Sequence, residues 1–171
     1  FWLAYHNFGD TKMLLIQLQR ALREAPIAKG LIFHANKKPL VEKTGKQLVV
    51  GICSSYLRNH TIGFLYSGLI EALASRGLSI TLLVPSETKR DKVHANIKLA
   101  AHRVIELSST PLTAARQIAE ANLDFLFYPD IGMSPMTYQL ALSRLAPVQA
   151  TSFGHPITTG LDTMDYFISS E

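Results

Sequence analysis

Leu48-Val49-Val50-Gly51-Ile52-Cys53 is an unbroken apolar run, and Ser54-Ser55-Tyr56-Leu57-Arg58-Asn59-His60-Thr61 turns polar directly after it. A strand with one wet face alternates apolar and polar residues, whereas a strand covered on both faces has no polar side to show. The run therefore reads as a strand buried on both sides. From about Thr61, Ile62, Leu65, Tyr66, Leu69, Ile70 and Leu73 recur at helical spacing. Gly77 is placed to end that helix in the left-handed conformation.

The same unit repeats outward from this stretch. Ile80 to Val84 reads as a second strand, Ser86 to Ala101 as a polar helical segment, and Val104 to Leu107 as a short third strand. Thr110-Pro111 is a cap followed by proline in the first turn, opening a helix to about Asn122. Phe125 to Tyr128 is a fourth strand, and Ser134-Pro135 opens a helix that runs to about Leu145. Val148 to Phe153 and Tyr166 to Ile168 are the last two strands. Strands alternating with helices over short links imply right-handed crossovers and a mostly parallel sheet. The expected class is α/β, a Rossmann-like doubly wound domain over residues 47–171.

Residues 1–46 read as a helical junction segment with a basic linker. An apolar start is followed by Asp10 or Thr11 as cap, by Leu14, Leu18 and Leu22 at helical spacing, and by Pro26 and Gly30 as stops. Lys37, Lys38, Lys43 and Lys46 supply much of the net charge of +4. No aromatic-interleaved basic stripe accompanies them, so no nucleic-acid partner is expected.

At 171 residues, with 47% hydrophobic and 18% charged content, the chain has the size and composition of one globular domain. It opens on Phe1, not Met, and closes just after a strand-like run, so a piece of a longer protein is expected. No apolar run is long enough to cross a bilayer, and no signal-peptide pattern is present. The lone Cys53 reads as a small core hydrophobe, and a cytoplasmic setting without membrane attachment is expected. Neither paired cysteines nor i, i+4 histidines suggest a metal. The dinucleotide Gly-x-Gly-x-x-Gly and the hydrolase Gly-x-Ser-x-Gly patterns are both missing.

Chemistry is expected in three loops that leave carboxyl ends of strands, where α/β sheets bind ligands. The first ends at His60, on a helix N-terminus whose dipole keeps an imidazole neutral, suited to a general base or a hydrogen-bond acceptor. A surface histidine that merely caps the helix stands as the alternative, with Asn59 and Thr61 beside it. The second loop is Pro129 to Met133, where Asp130 takes a ligand hydroxyl or caps the next helix. Gly132 reads as a turn requirement. The third is Gly154-His155-Pro156-Ile157-Thr158-Thr159-Gly160. Here His155 and the two threonines offer hydrogen bonds, or His155 satisfies a buried carbonyl. Gly154 and Gly160 would let backbone approach a ligand, and Pro156 limits the loop's motion.

Arg144-Leu145-Ala146-Pro147-Val148-Gln149, the strand after it, Gly154-His155-Pro156-Ile157-Thr158-Thr159-Gly160 and Asp165-Tyr166 together resemble the protein O-GlcNAc transferase/SPINDLY glycosyltransferases, in the wording of bacterial members. Arg58-Asn59-His60-Thr61 and Phe127 to Met133 agree with them. The Gly-His-Pro-x-Thr-Thr segment is also similar to that of the adhesin N-glycosyltransferases. The resemblance covers Leu48 to Glu171 and implies the N-terminal half of a GT-B catalytic region. It implies transfer of a sugar, GlcNAc first among candidates, from a UDP-sugar to Ser or Thr of a protein or peptide acceptor. Inversion at the anomeric carbon without metal or cofactor is implied too. His60 would be the catalytic residue. Asn59, Thr61, Asp130, Gly154, His155, Pro156, Thr158 and Thr159 would bind substrate on the acceptor-side wall. A C-terminal nucleotide-binding subdomain and upstream helical repeats would be partners within the same protein. UDP-glucose-dependent transfer to Asn, and a non-enzymatic Rossmann-like scaffold, are the alternatives.

Overall fold

The computed structural model describes residues 9–25, 47–155 and 157–169. The basic linker and Pro156 lie outside them. In chain order the elements are α1 (Thr11–Glu24), β1 (Val49–Cys53), α2 (Thr61–Ser75), β2 (Ser79–Val84), α3 (Lys92–Leu99) and β3 (Arg103–Glu106). They continue as α4 (Pro111–Glu120), β4 (Phe125–Tyr128), α5 (Pro135–Ala141), β5 (Val148–Ser152) and β6 (Tyr166–Ile168). All six strands are parallel in the order β3-β2-β1-β4-β5-β6. This is the α/β, Rossmann-like doubly wound sheet expected from the alternating pattern. The chain winds outward from β1 through β2 to β3, then returns to lay β4 on the other side of β1. That reversal opens a crevice between the carboxyl ends of β1 and β4.

The two sheet faces carry separate cores. Ile52, Ile80 and Leu82 meet Ile62, Tyr66 and Ile70 of α2 and Ile97 of α3 on one face. On the other, Leu83, Leu126 and Tyr128 meet Ala115 and Ile118 of α4 and Leu140 of α5, and Leu22 of α1 packs against that cluster. The central strands are buried along almost their whole length, which is why they read as continuous apolar runs. Asp124 ties the amino ends of β1 and β4 together, exchanging backbone and carboxylate bonds with Val49 at 2.9 and 3.0 Å.

Two helices are shorter than their sequence patterns predict. Residues 86–91 form no helix, because Thr88 N–H closes a turn on the Pro85 carbonyl and Asp91 caps the helix only from Lys92. α5 stops at Ala141, since the following residues are drawn away by Arg144 and Gln149, described below. Gly77 adopts φ 84 after α2, as a left-handed helix stop requires.

Candidate functional site

The loop after β1 is wound tightly. Ser54 Oγ accepts the Tyr56 N–H at 2.9 Å and donates to Asp130 Oδ2 at 2.8 Å. Its last residue, His60, is extended (φ −159, ψ 155) and caps α2, with Nδ1 accepting the Ile62 N–H at 3.1 Å. An accepting Nδ1 is bare, so the neutral ring carries its proton on Nε2. Capped in this way, His60 presents a donor at Nε2 and has no lone pair left for a base. Burial first, and the nearby Arg58 second, lower its pKa. The neutral form expected from the helix dipole is thus favoured, chiefly through desolvation. The Tyr56 ring lies 4.7 Å from the His60 ring, and the Arg58 guanidinium sits 5.2 Å from the Tyr56 centroid.

Asp130 is fully buried. Burial pushes its carboxyl up to about 7 against the opposing Ser54 bond. Oδ2 is held by Ser54, and Oδ1 finds no hydrogen-bond partner among the described residues. The expected contact with a ligand hydroxyl is not seen: the carboxyl is fully buried and does not line the cavity at this edge. Gly132 above it has φ 105, and a Cβ there would collide with the His155 ring. The turn requirement and the packing of the histidine both demand glycine at this position.

The third loop also differs in part from expectation. A Cβ on Gly154 would sit 2.5 Å from the Pro129 carbonyl oxygen and 2.7 Å from Ile62 Cδ1. The room that Gly154 leaves is therefore filled by the fold's own atoms, not by a ligand. The same holds for Gly160, where a Cβ would approach Leu15 Cβ of α1 to 2.5 Å. His155 is 4% exposed, and burial lowers its pKa. Thr159 Oγ1 accepts the Leu161 N–H at 3.1 Å, leaving its hydroxyl proton free to donate. Thr158 and Asn59 are exposed, as is Thr61.

These parts meet at one cavity of about 680 Å³ on the carboxyl edge. His60 and Tyr56 come from the first loop, Gly132 and Met133 from the second, and His155, Thr158 and Thr159 from the third. Asn59, Thr61, Asp130 and Gly154 are not among its lining residues. The opposite wall is Leu15, Leu18 and Leu22 of α1, which the sequence reading left in a separate junction segment. α1 is latched there by Asp162, which accepts from Gln19 Nε2 at 2.6 Å and Arg23 Nη1 at 2.8 Å. Tyr138 of α5, donating to the Thr159 carbonyl at 3.3 Å, was missed too. Tyr56 stood in the motif itself, four residues before His60, and an aromatic beside a candidate site was the available signal.

The residues that carry the resemblance to the glycosyltransferases do structural work here. Arg144 pairs with Asp165 through both guanidinium ends, at 2.7 and 2.9 Å. Asp165 Oδ2 also accepts the Gln149 N–H at 2.8 Å. The fully buried Gln149 side chain accepts the Leu145 N–H at 2.7 Å and donates to the Ser143 and Thr163 carbonyls at 3.2 and 3.1 Å. One polar knot thus fixes the end of α5, the start of β5 and the return from the third loop.

Among the described residues no group of three His, Cys, Asp or Glu gathers as metal ligands, and no helix is long and apolar enough to cross a membrane. The fold and its carboxyl-edge cavity define a Rossmann-like unit of the kind that forms one half of a GT-B glycosyltransferase. The structure is similar to that of a mutant O-GlcNAc transferase from Thermobaculum terrenum, with a TM-score of 0.68 at 19% identity, over 92% of this chain and 34% of that one. Fifty-four residues, 31% of this chain, are 44% identical to the UDP-glucose:protein N-beta-glucosyltransferases of Actinobacillus pleuropneumoniae serotypes 5b and 7, covering 9% of those proteins. No protein-family model matches the chain. The structural likeness establishes the fold, and the local sequence match supports the glycosyltransferase family resemblance.

Proposed function

We propose that the complete protein transfers a sugar, GlcNAc by resemblance, from a UDP-sugar to Ser or Thr of a cytoplasmic protein acceptor. Transfer inverts the anomeric carbon and uses neither metal nor cofactor. The chain supplies the acceptor-side wall, and a second, nucleotide-binding subdomain beyond these residues holds the diphosphate. The observation that carries this reading is the convergence of His60, His155, Thr158 and Thr159 on one cavity at the carboxyl edge. Such a wall accelerates transfer by holding the acceptor oxygen in line with the anomeric carbon. His60 contributes an Nε2–H donor to a sugar or acceptor oxygen, a fixed dipole where charge develops.

His60→Ala in the complete enzyme is expected to lower turnover roughly 10- to 1000-fold, the scale of a lost positioning or charge-stabilising hydrogen-bond donor. Melting should change little. Unchanged kinetics in a normally folded variant would reduce His60 to a helix cap. The 171-residue chain alone is expected to incorporate no sugar from radiolabelled UDP-GlcNAc or UDP-glucose, because the diphosphate side is not in it; counts above background would refute that.

The second reading, UDP-glucose-dependent transfer to Asn, is favoured by the local match to the N-glucosyltransferases. Mass spectrometry of proteins co-expressed with the complete enzyme separates the two. N-acetylhexosamine on Ser or Thr supports the first, hexose on Asn the second, and no modification supports a non-enzymatic scaffold.

A further inference from the structure

α3 begins at Lys92 because of Asp91, and this carboxylate is engaged at both oxygens. Oδ1 accepts the His94 N–H at 3.0 Å, an ordinary N-cap bond. Oδ2 accepts the Asn59 N–H at 2.9 Å, from a loop 32 residues earlier. Those backbone bonds are the main causes of its lowered pKa. Within the same turn, His94 Nδ1 lies 2.8 Å from the Leu57 carbonyl oxygen. A carbonyl only accepts, so Nδ1 is the donor.

His94 is 2% exposed, and its Nε2 has no hydrogen-bond partner among the described residues. Burying a lone pair without a partner costs free energy that an apolar side chain of similar size would not. What offsets that cost is the bond to Leu57. From the opposite side, Gly63 of α2 lies so close to the Arg58 carbonyl that a Cβ would overlap it. Leu57, Arg58 and Asn59 are therefore each held at a backbone atom, and His60 is the next residue.

The geometry points to Asp91 and His94 as positioning residues for His60. The first turn of α3 fixes Leu57 and Asn59, on either side of Arg58, so that the His60 ring stays on the Ile62 N–H and at the cavity wall. Among the described residues, Tyr56 packs on that ring, Arg58 bears on its charge, and His155 and Tyr138 line the same cavity; none of them bonds it in place. The consequence for catalysis rests on the reading of His60 as a site residue; the positioning itself does not.

The test uses the 171-residue chain with isotope-labelled histidine and backbone. In Asp91→Ser the hydroxyl still caps α3 but is too short to reach Asn59 as well. The Ile62 amide is expected to exchange at least tenfold faster. The His60 midpoint should move up toward that of an ordinary histidine, because a ring released from the Ile62 N–H gains solvent and burial is the main cause that lowers it. The α3 amides should keep their protection. His94→Phe should act in the same direction, while His94→Asn, whose amide N–H can replace the Nδ1 donor, should restore slow exchange. Wild-type exchange and titration in Asp91→Ser overturn the proposal, as does His94→Asn behaving like His94→Phe. If His94→Phe does not fold, Asp91→Ser decides alone. None of these readouts requires sugar transfer, so an inactive complete enzyme would defeat the functional reading and leave this one standing.

Discussion

Gln149→Leu is expected to destabilise the domain by roughly 3–5 kcal/mol, although the replaced side chain touches neither the cavity nor solvent. Leucine fills a similar volume, so the loss comes from polar groups left behind. The Leu145 N–H and the Ser143 and Thr163 carbonyls each lose the bond that Gln149 makes to them. A buried polar group without a partner costs about 1–3 kcal/mol, and local relaxation recovers part of the sum. The contrast is Arg90, whose pair with Glu106 is about half exposed on both sides; removing it should cost less than ~1 kcal/mol. Denaturant unfolding of both variants measures the difference. A loss under about 1 kcal/mol for Gln149→Leu would mean that the knot is ornamental.

Asp130→Asn is expected to remove a pH dependence that this one residue imposes. Its carboxyl titrates at about 7 in the fold against an ordinary 3.8. A folded pKa raised above the unfolded one means that the folded chain binds the proton more tightly. The stability is then greatest below pH 3.8, falls as pH rises toward 7, and levels off above. The whole window corresponds to about 4 kcal/mol, of which roughly 2.5 kcal/mol falls between pH 5 and pH 8. An Asn keeps an oxygen for the Ser54 hydroxyl and has no charge to bury. The variant's unfolding free energy should therefore change less between pH 5 and pH 8, by about that amount, and the variant should gain relative to wild type at the alkaline end. Parallel pH profiles for the two proteins would show that Asp130 ionises freely, through a neighbour or solvent that relieves it.

Most of the fold was legible because the central strands lack a polar face, and covered parallel strands cannot hide that. The start of α3 was not legible. Ser-Glu-Thr-Lys-Arg has a helix-compatible composition, and only the turn at Thr88 and the cap at Asp91 decide where the helix begins. That His60, His155, Thr158 and Thr159 meet at one cavity was readable because α/β topology sends those loops to one edge. Asp130 misled, since a loop aspartate is usually solvated, and nothing local announces that Ser54 covers it. Arg144, Gln149 and Asp165 carried the family resemblance without marking any chemistry, because in the fold they tie backbone to backbone. The wall formed by α1 had no local signal. Its leucines look like any amphipathic stripe, and their partner loop lies far along the chain.

That latch joins Gln19 to Asp162 across 143 residues. A contact of such separation closes a long loop whose entropy must be offset before the contact rewards it, so the latch is expected to form after the sheet. The cavity is thus not a local possession of its loops but a product of the finished molecule. Hydrogen exchange should show the Gly160–Asp162 amides opening at lower free energy than those of β1 and β4, with the sheet still intact. A chain caught at that stage would have every strand in place and no wall opposite His60. Binding competence would then lag behind folding, and any event that holds α1 down would complete the site.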